Sequence, residues 1–344
     1  MNGTRGRLFA WLTAASALLG AAPVAAEMPN ASAVVIMYHR FGETAYPSTN
    51  IRLDQFEAHI AELKSGRYNI MALPDVIAAF GRGATLPDRT VAITIDDAYE
   101  STFHEAWPRL KQAGLPFTVF VATDPVGKVK GYMTWDQIRA LVADGVTIAA
   151  HTDSHGHLTE RTPEQVAGAI ARGTARITAE TGVAPTLFAY PFGEYSLATI
   201  REAERAGFAA AFGQHSGVAH NLAPRFTLPR FALNETYGEA ARFRSILNAL
   251  PFPVTDVTPA ETLVTPADNP PALGFSVAPE VGNVAAMGCW TSTGRARIER
   301  IERRIEVRAD RPFPPGRARF NCTLQTPEGR SRWFGVQFVV APSR

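Results

Sequence analysis

The chain has 344 residues with a formal net charge of +2, and 46% of its residues are hydrophobic. This length and composition fit a globular protein with one large domain and a smaller companion. The charge falls to about zero without Arg5 and Arg7, so the whole molecule offers no electrostatic case for binding nucleic acid.

Residues 1–26 have the pattern of a secretory signal peptide. Arg5 and Arg7 precede an apolar run at 8–22, and the small residues 24–26 precede Glu27. The run is short for a bilayer span, although a retained membrane anchor is the alternative. Cleavage near Ala26 would export the mature chain to the periplasm or the extracellular space. No later segment is apolar enough to predict a transmembrane span.

From residue 33 to 250, short apolar runs alternate with segments of helical spacing. The apolar runs lie at 33–38, 68–73, 91–95, 117–122, 146–150, 186–190, 208–212 and 227–231, and the helical segments lie at 53–64, 99–112, 135–143, 163–180 and 197–206. This alternation predicts parallel strands joined by helical crossovers in a sheet covered on both faces. A closed or nearly closed (β/α) barrel is the simplest architecture, and a doubly wound open sheet is the alternative.

The rest of the chain has a different pattern. Six prolines between 251 and 272 predict a linker or strapping segment with no regular element. Alternating residues from 273 to 344 predict a small C-terminal antiparallel β-sandwich, although the spacing around Arg300 also allows a short helix. Cys289 and Cys322 are a candidate disulfide pair in an exported protein, with two free thiols as the alternative.

The C-terminal region is also rich in arginine. From Val281 onward the chain has twelve arginines, five acidic residues and no lysine. Such a surface could bind an anionic polysaccharide or a membrane surface, but a charged face on a small β domain is more often simply solvated.

Candidate functional residues follow the predicted barrel strands at the point where each strand ends. They are His39 after the first strand, Asp96 and Asp97 after the third, His151 and His155 after the fifth, Tyr190, Pro191 and Phe192 at the end of the sixth, and His215 after the seventh. The carboxyl ends of barrel strands open on one face, where active sites lie. Imidazoles and a carboxylate gathered there can hold a divalent metal used to activate water.

Each of these residues taken alone has a simpler interpretation. Asp96 and Asp97 could cap the following helix, since aspartate is a favoured N-cap residue. His151 and His155 could belong to a solvated loop, because ligand spacing without structural context has a high false-positive rate. A lone His39 is more often a partly buried structural histidine. The gathering of all these groups at one rim favours a functional site over these simpler interpretations.

Three segments in this order resemble the motifs of the polysaccharide deacetylases, the carbohydrate esterases with a NodB-homology domain and a distorted (β/α)-barrel fold. They are Thr94-Ile-Asp-Asp97, His151-Thr-Asp-Ser-His155 and Tyr190-Pro-Phe-Gly193. The resemblance covers 33–250. It implies that Asp96 is the general base, that Asp97, His151 and His155 bind the metal, and that a backbone N–H near Phe192 helps to stabilise an oxyanion.

Two positions depart from the family pattern. The family's third motif has an arginine that orients the base, and Ala189 stands there instead. The usual late motif with the general acid is not evident. The pair Tyr38-His39 at the beginning is similar to the circularly permuted arrangement of exported poly-N-acetylglucosamine deacetylases. This predicts His39 as the acid, with His215 in reserve.

The resemblance implies a metal-dependent hydrolase that removes N-acetyl groups from an N-acetylglucosamine-containing polysaccharide. Zinc is the expected ion, and cobalt and nickel accept the same ligands. The acetylated polysaccharide or oligosaccharide is the expected partner. The alternatives are a non-catalytic exported glycan-binding protein and a metal-dependent esterase or amidase acting on another acylated substrate.

Overall fold

The computed structural model describes residues 28–342, and the predicted signal peptide lies outside this range. Within it, the α-helices are α1 (Leu53–Leu63), α2 (Leu73–Arg82), α3 (Trp107–Ala113), α4 (Trp135–Ala143), α5 (Pro163–Thr181), α6 (Leu197–Arg205) and α7 (Ala240–Leu247). A π-helical turn at Thr102–Ala106 precedes α3. None of the helices in 28–342 is both long and apolar enough to cross a membrane.

The strands of the first 250 residues are β1 (Ser32–Tyr38), β2 (Arg40–Phe41), β3 (Asn50–Ile51), β4 (Asn69–Ile70), β5 (Thr90–Asp96), β6 (Phe117–Val121), β7 (Thr147–Ala150), β8 (Leu187–Ala189), β9 (Ala210–Phe212), β10 (Ala219–His220) and β11 (Phe231–Ala232). The remaining strands are β12 (Leu250–Pro251), β13 (Val254–Thr258), β14 (Leu263–Val264), β15 (Leu273–Val277), β16 (Gly288–Thr291), β17 (Gly294–Arg295), β18 (Arg297–Ile301), β19 (Arg304–Arg308), β20 (Gly316–Gln325) and β21 (Ser331–Val340).

The main sheet has the order β10-β1-β5-β6-β7-β8-β9, and the path from β1 to β9 is parallel throughout. Strand β5 is buried at every position because helices cover the outer face of the curled sheet and side chains fill its inner face. This confirms the predicted distorted (β/α) barrel with parallel strands. The doubly wound alternative does not describe a sheet curled in this way.

The segment 228–233, here called the seam segment, connects the first and the last parallel strands of the curled sheet. Leu228 pairs in parallel with Phe212 of β9, and Phe231 pairs in parallel with Ile36 of β1. One short extended segment therefore bonds to the last parallel strand at one end and to the first at the other. It places residue Arg230 between the two edges of the sheet.

The helices begin and end where local chemistry dictates. Thr134 and Thr162 cap α4 and α5, and in each case a glutamine three residues later completes a capping box. Gly114 ends α3 in the left-handed conformation that favours glycine. Helices α2 and α7 were not among the helical segments predicted from the sequence. Each has a buried apolar face, with Val76 in α2 and Phe243 in α7.

The C-terminal region forms two antiparallel sheets, which confirms the predicted β-sandwich. The larger has the order β12-β21-β20-β16-β17, with β14 also paired to β21, and the smaller has the order β13-β15-β19-β18. Rings of Phe275 and Phe334 pack 4.8 Å apart between them. A disulfide joins Cys289 to Cys322 across β16 and β20, as predicted.

Two details of the sequence interpretation need correction here. The segment 251–272 was expected to form no regular element, but it contains β13 and β14. Its prolines lie at the strand ends, where a missing N–H does not interrupt the ladder: Pro253 and Pro259 flank β13. The residues around Arg300 form β18 and not a helix, because their backbone pairs with β19.

Candidate active site

The carboxyl ends of β5 and β7 bring one carboxylate and two imidazoles together. Oδ1 of Asp97 lies 3.4 Å from Nε2 of His151 and 3.1 Å from Nε2 of His155. The three candidate ligand atoms all lie within 4.8 Å of one another. Asp97 and His151 are buried, whereas His155 is partly exposed, so the cluster is open to solvent on one side.

The cluster fits a metal ion better than a hydrogen-bonded network. Within residues 28–342, the buried Oδ1 of Asp97 and Nε2 of His151 have no hydrogen-bond partner. Buried polar atoms without partners are costly, and a bound ion is one of the recognised explanations for them. Two imidazole nitrogens and one carboxylate oxygen, with an open side, suit zinc and related divalent ions.

A hydrogen bond fixes the orientation of the deepest imidazole. Nδ1 of His151 donates to the carbonyl oxygen of Ala189 over 2.7 Å. A carbonyl can only accept, so the proton is on Nδ1 and the lone pair of Nε2 faces the cluster. Outer partners of this kind commonly set the tautomer of a metal-binding histidine. Ala189, the position where the family pattern has an arginine, therefore contributes through its backbone.

The backbone around the cluster adopts sparsely populated conformations. Five of the eight non-glycine residues with positive φ in 28–342 lie here: Asp97, Ala98, Thr152, His155 and Phe192. Such conformations cost energy and persist where surrounding structure enforces them, most often at functional sites. In this chain they turn side chains inward immediately after β5, β7 and β8.

Asp96 is held by a buried arginine that the sequence interpretation did not find. Nη1 and Nη2 of Arg230 donate to the two carboxylate oxygens over 2.7 and 2.8 Å, and both side chains are fully buried. Burial alone raises the pKa of Asp96, but the positive charge and hydrogen bonds of Arg230, with contributions from the neighbouring His151 and His39, outweigh it, and the pKa lies below its ordinary value. Asp96 is therefore an ionised, fixed carboxylate.

Arg230 supplies the cation that is missing at Ala189. Its Nε also donates to the carbonyl oxygen of Gly213 over 3.0 Å, which fixes the plane of the guanidinium group. One signal in the sequence pointed to it. Arg230 is a single arginine inside the apolar run 227–231, and a buried arginine needs a carboxylate partner.

His39 lies beside the same carboxylate, as expected for a residue at the end of β1. Its Nε2 is 4.0 Å from Oδ2 of Asp96, and its side chain is mostly buried. Burial lowers the pKa of His39, and the charges of Asp97 and Asp96 only partly offset this effect. The imidazole therefore has access to the cluster but is held largely neutral at neutral pH.

His215, the predicted reserve acid, has different surroundings. Its ring lies 5.9 Å from that of Tyr195, and burial lowers its pKa to about 4, with a smaller contribution from Arg319. The charges that act on it are those of Arg319 and Arg230, not those of the two aspartates. The structure thus brings His39, and not His215, together with the cluster.

The segment Tyr190-Pro191-Phe192 differs in part from its predicted role. The ring of Tyr190 is fully buried, packed against Phe188 and Tyr195, so its side chain cannot contact a substrate. Its N–H donates to the carbonyl oxygen of Phe212, and Pro191 has none to offer. Of these three residues, only Phe192 can direct a backbone N–H towards an oxyanion.

A second imidazole–carboxylate pair flanks the cluster and was not singled out from the sequence. Nδ1 of His157 lies 2.6 Å from Oε2 of the buried Glu194, and its ring stacks on Phe192 with centroids 4.1 Å apart. The ring of Phe192 is also 4.5 Å from that of His155. The signal in the sequence for this pair was His157, the third histidine of the run 151–157.

A curled parallel sheet with an Asp/His/His cluster at the carboxyl ends of its strands defines the class: a (β/α)-barrel protein with a candidate metal centre. The sequence profile of the family described as polysaccharide deacetylase matches residues 83–211, which include all three residues of the cluster. The matched segment is a polysaccharide deacetylase domain, as the ordered motifs predicted.

Known proteins resemble part of the chain. The putative polysaccharide deacetylase YxkH of Bacillus subtilis is 26% identical over 196 residues, covering 57% of this chain and 69% of that protein. The poly-β-1,6-N-acetyl-D-glucosamine N-deacetylase of Escherichia coli K12 is 23% identical, covering 59% of this chain but 36% of that protein. The Streptococcus pyogenes deacetylase PplD, solved in complex with acetate, has 20% identity and a TM-score of 0.59, covering 64% of this chain and 99% of that one. That last likeness concerns the fold alone.

Proposed function

We propose that this protein is an exported metal-dependent hydrolase that removes N-acetyl groups from an N-acetylglucosamine-containing polysaccharide. The observation that carries the proposal is the convergence of Asp97, His151 and His155, whose ligand atoms lie within 4.8 Å of one another. When bound there, a divalent ion lowers the pKa of water and polarises a carbonyl oxygen. The remaining groups of the site fit the other requirements of amide hydrolysis.

Asp96 is the general base of the proposed reaction. Its carboxylate is ionised, and the bidentate contact with Arg230 holds it beside the cluster, so it can accept a proton from the attacking water. The arginine also prevents the fully buried carboxylate from retaining a proton. Positioning and charge therefore come from the same contact.

His39 is the proposed proton donor to the departing nitrogen. An amine leaves only if it is protonated, and His39 lies on the same rim. Because its pKa is lowered, the imidazole must gain a proton during the reaction. Oδ2 of Asp96, 4.0 Å from Nε2, is the group from which it can receive the proton taken from water. The N–H of Phe192 would stabilise the oxyanion of the tetrahedral intermediate.

The names of the relatives favour a polysaccharide as the substrate. The Escherichia coli protein is named as acting on poly-β-1,6-N-acetyl-D-glucosamine, and we carry over N-acetylglucosamine as the sugar unit but not the linkage. The disulfide between Cys289 and Cys322 supports export, since such bonds persist in oxidising compartments.

The decisive experiment measures metal content and acetate release together. Asp97→Ala and His151→Ala should lose the bound zinc and at least about a thousandfold in kcat, because the ion contributes several kcal/mol of charge stabilisation. Asp96→Asn should keep the metal and lose the rate. His104→Ala, which removes an exposed histidine outside the cluster, is the matched control.

Three results would contradict the assignment. Full activity in Asp96→Asn would mean that another residue is the base. No acetate from any N-acetylated glycan with metal-loaded protein would favour the non-catalytic glycan-binding alternative. Faster release from O-acetylated xylan than from acetylated chitooligosaccharides would favour an esterase.

A further inference from the structure

The C-terminal sandwich reaches the rim of the candidate active site. Arg317 lies at the start of β20, and its guanidinium carbon is 5.9 Å from the ring centroid of Phe192. The same ring packs against His155 and His157. The exposed guanidinium group of Arg317 therefore contacts Phe192, which in turn contacts the proposed metal ligand His155.

A second arginine on the same face of β20 is held in place by hydrogen bonds. Residues two apart on a strand point to the same side, so Arg319 accompanies Arg317. Nε of Arg319 donates to Oε1 of the buried Gln337 over 3.0 Å, and Nε2 of Gln337 donates to the carbonyl oxygen of Phe192 over 3.1 Å. This chain of contacts fixes Arg319 relative to the segment that carries Phe192.

Among the residues that the structure describes, neither arginine has an acidic partner. In the described range 28–342, Arg317 and Arg319 form no ion pair. Glu194, the carboxylate on this side of the site, is buried and already bonded to His157. Burial lowers the pKa of Arg319, and the neighbouring charge of Arg317 lowers it further.

Some of the other arginines of the sandwich are neutralised by acidic residues. Arg297 pairs with Asp310, and Arg304 and Arg308 both pair with Glu306. Arg317 and Arg319 differ from the remaining arginines in their position, because they lie beside Phe192 where the sandwich meets the site. Two adjacent cations without counter-charge favour an anion brought by the substrate.

We propose that Arg317 and Arg319 form a subsite for an anionic group, a carboxylate or a phosphate, on the acetylated glycan. The proposal rests on the function proposed above and narrows its substrate class to glycans that carry negative charge near the N-acetyl group. A guanidinium presents a planar pair of donors that matches both kinds of oxyanion.

The experiment compares oligosaccharides of one length that differ only in charge. The set contains a neutral N-acetylglucosamine tetrasaccharide, a tetrasaccharide with lactyl carboxylates on alternate units, the methyl ester of the latter, and a 6-O-phosphorylated tetrasaccharide. For the wild-type protein, kcat/KM should be higher for the carboxylate than for its ester, or higher for the phosphate than for the neutral sugar. Whichever anion gives the larger ratio identifies the group.

Arg317→Gln and Arg319→Gln should each lower this preference ratio about fivefold, the size expected of a partly exposed charge interaction. The ratio should also fall with added salt. Arg295→Gln removes an equivalent charge from exposed β17, two strands away from β20, and should leave the ratio unchanged.

The outcomes distinguish an anion subsite from a purely structural role of the two arginines and from failure of the proposed function. Equal losses on charged and uncharged substrates, or no change in the ratio, would overturn the subsite. If the wild-type protein released no acetate from any substrate, calorimetric binding to metal-loaded Asp96→Asn would decide. Charge-dependent affinity lost in both arginine variants would still support the subsite, and its absence would overturn it.

Discussion

The barrel and the C-terminal sandwich use polar residues in opposite ways. All eight histidines of the chain precede Asn221, and the barrel buries several of them together with Asp96, Asp97 and Arg230. The sandwich has no histidine, and within the described residues its buried polar side chains, Thr262, Ser331 and Gln337, are all uncharged. Burying ionisable groups costs stability unless each one is paired. Apolar packing alone therefore does not explain why the barrel buries these groups.

The difference extends to the backbone. Within the described residues, five of the six non-glycine residues with positive φ in the barrel cluster at the strand ends around Asp97, whereas those of the C-terminal region, Asp256 and Glu302, lie in exposed positions. The sandwich contributes to the site from outside, through Gln337 and the arginines of β20. One region therefore holds the chemical groups, and the other supports the segment that flanks them.

The largest expected effect comes from breaking the buried ion pair of the barrel. Arg230→Met leaves Asp96 buried without its counter-charge, which should cost about 3–5 kcal/mol of unfolding free energy. It should also change the pH dependence, because burial then raises the pKa of Asp96 with less opposition. The base must be ionised, so a raised pKa moves the acid limb of the rate profile to higher pH. Urea unfolding and a kcat/KM profile check both effects.

The double variant Asp96→Asn/Arg230→Met is the matched control for this pair. It removes both charges, so most of the lost stability should return while activity does not. If Arg230→Met were as stable as the wild-type protein, with an unshifted acid limb, the arginine would not be what holds Asp96 ionised.

Sequence patterns were sufficient for the parallel sheet and for the candidate metal cluster. Strand β5 could be predicted because an apolar run ends abruptly in two aspartates, and the spacing of His151 and His155 places both after β7. These features are local, and the topology of a parallel barrel then brings distant strand ends together. The pairing of Cys289 with Cys322 followed from there being only two cysteines.

Features that depend on long-range packing could not be predicted from local sequence patterns. Arg230 meets Asp96 because the seam segment bonds to β9 and β1 at once, and no local pattern specifies that bridge. Residues 254–258 are too polar and too close to prolines to predict β13, yet they pair with β15 in the folded chain. The contact of Gln337 with Phe192 likewise depends on how the sandwich docks.

A smaller effect should follow from the buried histidines of the barrel. His59 stacks on Phe243 and bonds to the hydroxyl of Tyr38, and burial lowers its pKa to about 4. The unfolded chain has an ordinary histidine pKa of about 6.5, so it binds a proton first as the pH falls. Protonation then favours unfolding. Stability should drop by up to about 3 kcal/mol between the two pKa values, and none of this loss appears above them.

His59→Asn tests this directly by urea unfolding across that pH window. The variant loses packing at neutral pH, but its unfolding free energy should fall less steeply as the pH decreases. The slope should be smaller by the equivalent of up to one bound proton. His104→Asn, at an exposed position, should keep the wild-type slope. An unchanged slope in His59→Asn would assign the acid sensitivity to other groups, of which the buried His215 and His220 are the first candidates.

The smallest effect tests whether the sandwich acts on the site at all. Gln337→Glu keeps an acceptor for Arg319 but removes the donor to the carbonyl oxygen of Phe192, a loss of about 1 kcal/mol. If that hydrogen bond holds Phe192 in place for the oxyanion, kcat should fall about fivefold while zinc content stays the same. Gln325→Ala, at the far end of the same hairpin, should change neither. A wild-type kcat in Gln337→Glu would mean that the barrel alone enforces the left-handed conformation of Phe192 and that the sandwich does not affect the rate through this residue.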